Sequence, residues 1–226
     1  MEVQAHIPIL KRVGAVLVAV GLIDIAYMIY CIVNKMSYSS SLNLFAVIAG
    51  VLLMRGSLRT AATVRWFGVF FLSACIAALL AWPAMQPMGL TLTRIRLHPG
   101  GLVGGVVFLA LAIGLFYWVI RELGREAVQG ASAAAGIKHR DMRVPMACGV
   151  ALVVVGGVFM ILLLSGDSGA RAISMAEKEV GPGYQLHVSS LRISGTGGKT
   201  SVSGVVTAWN KKEIRDIPVH WEEGAN

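Results

Sequence analysis

The residue whose position most demands a reason is Asp24, which stands near the middle of an otherwise apolar run, residues 13–33. A carboxylate placed there costs about 2.5 to 3.5 kcal/mol on membrane-insertion scales, so such residues are functional by default. Asp24 could relay a proton, bind a cation, or pair with Arg65 or a partner subunit. The bland counterpart is a protonated Asp24 hydrogen-bonded to a neighbouring helix. A transporter normally gathers more than one ionisable group within the membrane, which weighs toward the second use.

Other chemistry-bearing residues are dispersed. Met85, Met88 and His98 share one loop and are the donor types that hold copper, but their spacing is irregular and no cysteine joins them, so no metal is expected there. Cys31, Cys75 and Cys148 fall within or at the edges of apolar runs and form no CxxC pair. Cys31 and Cys148 belong near opposite membrane faces, too far apart for a disulfide, which leaves them as small packing residues. His6, His98, His139, His187 and His220 are spread over both sides, and no nucleophile, base and orienting acid are grouped. Neither catalysis nor a cofactor is expected.

Small residues give a different signal. Gly100, Gly101, Gly104 and Gly105 make two overlapping GxxxG pairs, and Gly149, Gly156 and Gly157 line another apolar run. Such residues let helices approach closely, inside one bundle or between copies in a homo-oligomer.

The elements that must carry these residues follow from composition. The 226 residues are 56% hydrophobic and 14% charged, against about 25% charged in an ordinary soluble domain. The apolar residues are gathered into blocks near the roughly 20 residues a helix needs to cross hydrocarbon. Four are clear, at residues 13–33, 66–82, 102–120 and 145–164. A fifth, at 37–54, reaches full length only by counting Ser37, Tyr38, Ser39, Ser40 and Ser41. The expected fold is an all-α membrane bundle over residues 1–164 with five transmembrane helices, or four if that block does not cross. A small α+β domain follows at 165–226.

Lysine and arginine set the orientation. With five spans, one side holds Lys11, Arg12, Arg55, Arg59, Arg65, Arg121, Arg125, Lys138, Arg140 and Arg143, while the opposite loops hold Lys35, Arg94 and Arg96. The positive-inside rule puts the larger set in the cytoplasm and the C-terminus outside. With four spans the N-terminus changes side and the C-terminus does not. Trp66, Trp82, Tyr117 and Trp118, with Tyr27, Tyr30 and Tyr38, sit at block ends where aromatic belts belong. The first span doubles as a signal anchor with no A-x-A-like cleavage site after it. The net charge of +8 is this same bias. Nucleic acid is excluded as a partner, because bases and acids balance in the outer domain. Lipid remains as the partner of the basic loops.

The cytoplasmic stretch 121–144 carries Arg121, Glu122, Arg125 and Glu126 at helical spacing, which predicts that the fourth span runs on for two or three turns and ends near Gly130 to Gly136. Arg94 and Arg96 flank Ile95 in an alternating stretch suited to the membrane interface. In the outer domain, Asp167 or Ser168 can cap a helix with Ala172, Ile173, Ala176 and Val180 on one face, stopped at Gly181, Pro182 and Gly183. Three strands are then predicted. The first alternates through Tyr184, Leu186 and Val188, slips phase at Ser189 and Ser190, and resumes at Leu191 and Ile193. The others follow Val202, Gly204, Val206 and Ala208, then Ile217, Val219 and Trp221. The meander's edges could accept a partner strand.

With its order of span, linker, helix, Gly-Pro turn and three strands, and with Val202, Ser203, Gly204, Val205, Val206 and Ile217, Pro218, Val219, His220, Trp221, the region 146–223 resembles the outward domain of the cytochrome oxidase complex assembly protein family. Members of that family usually carry one span, where four or five are read here. The N-terminal part resembles multi-span proteins common in bacterial genomes. The resemblance implies a bacterial inner-membrane protein whose outer module binds another membrane or periplasmic protein in an accessory or assembly role. A small transporter using Asp24, or a membrane immunity protein against a toxin, are the competing expectations.

Overall fold

The computed structural model describes residues 5–36, 43–97, 99–138, 140–181, 183–196 and 199–224. The start of the 37–54 block, Tyr38, His98, His139 and Pro182 lie outside them. The described chain forms α1 (His6–Val33), α2 (Asn43–Met54), α3 (Leu58–Met85), α4 (Met88–Leu97), α5 (Pro99–Leu123), α6 (Glu126–Ala134), α7 (Arg143–Ser165) and α8 (Asp167–Val180). Strands β1 (Gln185–Thr196), β2 (Lys199–Trp209) and β3 (Ile214–Gly224) complete it.

Four helices, α1, α3, α5 and α7, are long and apolar enough to cross a membrane. The shortest such segment, Val103–Leu123, has 21 residues, and at 1.5 Å per residue it reaches about 31 Å, the thickness of the hydrocarbon core. Their outward surface is apolar. Leu80 is 76% exposed and Phe108 75% exposed, side chains that water would drive into aggregation and hydrocarbon accepts at no cost. The chain is a multi-pass membrane protein with a small helix-and-sheet domain at its C-terminal end.

Two compact units divide the chain, one of Met1–Cys75 with Leu111–Val150 and the other of Ile76–Ala110 with Ala151–Asn226. In the first, the described α2 is 12 residues long, about 18 Å. It packs antiparallel on α1 with their backbones touching. A Cβ on Gly14 would lie 2.5 Å from the Gly50 carbonyl oxygen, and one on Gly50 would lie 2.7 Å from that of Gly14. Leu10, Val13 and Leu53 then join Ala61, Val119, Leu123 and Val128 in one buried cluster. The start of α1, the end of α2, the start of α3, the end of α5 and α6 thus meet at one place, and the chain has returned to the side where α1 began.

Two connections differ from the sequence reading. The fourth span does not run on past the membrane as one helix. The Gly124 N–H is shared between the carbonyls of Ile120 and Arg121, Arg125 turns extended at ψ 145°, and α6 begins at Glu126. The spacing of Arg121, Glu122, Arg125 and Glu126 therefore straddles a corner, across which Arg125 Nη2 donates to Glu122 Oε1 at 2.6 Å. The stretch around Arg94, Ile95 and Arg96 is likewise helical, not alternating. Pro87 lacks an N–H and its carbonyl accepts the N–H groups of Leu90 and Thr91, so it opens α4 where an orphan donor costs nothing.

In the second unit the strands pair antiparallel in the order β1-β2-β3. Ala172 and Ala176 of α8 are buried against Val188, Val202, Val206, Ala208, Ile217, Val219 and Trp221. The small alanines let the helix lie close on the branched and aromatic face. The phase slip is a β-bulge: Val188 pairs with Val206 and Ser190 with Val205, leaving Ser189 unpaired. One extra residue returns Leu191 and Ile193 to the face used by Leu186 and Val188. Opposite the bulge, a Cβ on Gly204 would stand 2.5 Å from the Ser190 carbonyl oxygen and 2.8 Å from Leu191 Cδ2, so only glycine fits without displacing the strand.

Candidate functional site

The sheet face away from α8 carries the C-terminal domain's polar chemistry. Register places His187, Thr207 and Asp216 side by side on the three strands. Thr207 is fully buried, and its hydroxyl donates to Asp216 Oδ1 at 2.7 Å. It also stands 2.6 Å from Ser189 Oγ. A threonine hydroxyl has one proton, and Asp216 receives it, so Ser189 must be the donor to Thr207. The bulge makes this possible by turning the unpaired Ser189 onto this face. The result is a directed chain from Ser189 through Thr207 to Asp216, with lone pairs of Ser189 still facing outward on an exposed residue.

Helix α4 approaches the same face. A Cβ on Gly89 would lie 3.5 Å from both Gln185 Oε1 and Trp209 Nε1, and Trp209 is 5% exposed. Burial, and after it the charge of Arg94, holds His187 below the usual imidazole range. No hydrogen bond joins His187 to Ser189 among the described residues, so the row is suited to fixing strand geometry and accepting a partner's donor more than to activating a nucleophile.

A second polar group fixes the β2–β3 turn. Asn210 Oδ1 accepts the N–H groups of Lys212 and Glu213 at 2.8 and 2.9 Å. The Tyr184 hydroxyl donates to Glu213, and Arg215 Nη2 donates to the other carboxylate oxygen at 3.1 Å. The hydroxyl and the guanidinium hold Glu213 below its ordinary value, and the carboxylate in turn raises Tyr184.

The edges differ in how open they are. Past the bulge, Ser190, Arg192, Ile193 and Ser194 are exposed, and β1 has a strand on one side only. Ile193 is a large apolar side chain left 49% exposed. On the opposite edge, β3 carries Pro218 across from Val205 and exposed Arg215, Asp216, His220 and Glu222. Proline and charge are the usual guards against unwanted strand pairing. The open edge is that of β1.

The residues singled out from the sequence are not brought together. Asp24 sits half-buried in α1. Gly149 is pressed onto α3, where a Cβ would collide with Ser73 Oγ and the Phe70 carbonyl. Positions of a Cβ on Gly100, Gly104, Gly105 and Gly156 meet nothing within 4 Å, and Gly101 lies on the same helix, α5. Sequence reading missed Gly14 and Gly50, which belong to no motif, and Thr207. The signal available for Thr207 was the phase slip two residues from its strand partner His187. No protein-family model, curated protein or solved structure matches the chain.

Proposed function

We propose that this chain is a membrane-anchored accessory protein that docks another membrane or extracytoplasmic protein through the outer α8-and-sheet module, by strand addition along β1. The observation that carries this reading is the asymmetry of the two edges: one guarded by Pro218 and charge, the other with Ser190, Arg192, Ile193 and Ser194 exposed. Main-chain pairing supplies affinity in that mode, and side chains on the two faces of the strand, here Arg192 and Ile193, supply selectivity. The resemblance of the 146–223 region to oxidase assembly proteins supports an assembly role, and the basic residues at the α1, α3 and α6 end support a cytoplasmic position for that end in a bacterial inner membrane. The role is docking, not catalysis.

Photo-crosslinking in intact membranes tests it. A crosslinker at Arg192 or Ile193 is expected to capture one discrete partner that a crosslinker at Lys178, exposed on α8, does not. Identical background at all three positions contradicts the reading.

A further inference from the structure

We infer that the first unit holds a binding site for a phosphate-bearing anion, in a basic cavity between α3, α6 and the segment that follows α6. The cavity has a volume of about 330 Å³ and is lined by Arg65 of α3, Gln129 and Ser132 of α6, and Lys138 and Arg140. That volume lies at the small end of the roughly 300–1,000 Å³ typical of small-ligand sites. Three cationic residues line it, and none of the described lining residues is acidic. Two carboxylates of the same unit have partners of their own: Glu122 accepts from Arg125, and Asp141 accepts the N–H of Arg143 at 2.9 Å.

The second observation is an orphaned donor. Arg65 Nε is sealed from solvent and has no hydrogen-bond partner among the described residues. Buried donors are almost always satisfied, and a guanidinium has a fork geometry matched to phosphate oxygens. Ser132 spends its donor on α6 itself, at the Val128 carbonyl, and Gln129 spends one on the end of α5, at the Leu123 carbonyl, both at 2.8 Å. These bonds fix the two side chains as parts of the wall. Arg65 enters from about two turns inside α3, a depth at which its stem can lie in hydrocarbon while its head stays at the headgroup level. Basic pockets at the cytoplasmic ends of membrane helices suit anionic headgroups. The shared chemistry is a phosphate group, carried by an anionic phospholipid or free in solution.

The full-length protein in neutral detergent, titrated separately with short-chain phosphatidylglycerol, short-chain phosphatidylcholine and inorganic phosphate, separates the sources. Saturable binding of phosphatidylglycerol with no binding of phosphatidylcholine identifies a lipid site. Saturation by inorganic phosphate at equal or lower concentration identifies a soluble anion. In either case the K138Q/R140Q variant, whose two side chains are exposed and free to change, is expected to bind about tenfold more weakly or worse, and Arg65→Lys to lose the bidentate share of affinity. No saturable binding of either anion, or K138Q/R140Q binding like the natural protein, overturns the inference.

Discussion

Thr207 joins the three strands on the face away from α8, and its loss should be felt locally. Thr207→Val keeps the shape and removes both hydroxyl bonds, and is expected to cost about 1–3 kcal/mol of C-terminal-domain stability in denaturant unfolding, with Thr207→Ser costing less. An unchanged midpoint for Thr207→Val would contradict the role given to the chain. The titratable neighbours set pH dependence with opposite signs. His187 has a folded value below its unfolded 6.5, so the unfolded state takes up the proton first, and stability should fall as pH drops through that region. Glu213, held below 4.5, contributes stability that is present above that value and lost as pH falls through its folded value. Tyr184, raised above 10.0, contributes stability present below that value and lost as pH rises through its folded value. Tyrosine absorbance on alkaline titration of Tyr184→Phe against the natural chain checks the last of these. At this scale the sequence shows which residues are apolar and which are polar, and Leu186, Val188, Val202, Val206, Ile217, Val219 and Trp221 could all be assigned to one face. Alternation alone cannot show that Thr207 is buried, because burial there comes from cover on the second face.

Helices and strands carry the next set of expectations. Gly14 and Gly50 let α1 and α2 touch, so Gly50→Leu should overpack the crossing and cost about 1–3 kcal/mol, read as a lower thermal midpoint of the detergent-solubilised protein. Gly104→Leu, where a Cβ meets open space, should leave that midpoint nearly unchanged, and equal loss in both variants would contradict the assignment. Trp221 lies in the α8 core at 7% exposure, and Trp221→Ala should cost about 3–5 kcal/mol, seen as rapid proteolysis of the C-terminal domain. Span positions, α8, the three strands and the bulge were legible because each writes its period into the chain. The α1–α2 contact was not, since it rests on single glycines 36 residues apart that become neighbours only once the helices pair. The corner at Gly124 was hidden for a related reason: helical charge spacing is the same whether one helix continues or two meet.

For the molecule as a whole, charge decides the arrangement. The antiparallel α1–α2 pair places Lys11, Arg12, Arg55 and Arg59 at the end where Arg121 and Arg125 also lie, and the described helices leave few basic residues at the opposite ends. Leaving such charges in hydrocarbon costs several kcal/mol each on insertion scales, and the positive-inside rule predicts that this end lies in the cytoplasm, which would set the way every span threads. The docking surface proposed on β1 depends on that direction. Fusing a reporter that works only in the cytoplasm to Asn226, beside one that works only after export, measures it directly. The account predicts silence from the first and activity from the second; a strong cytoplasmic signal would contradict it.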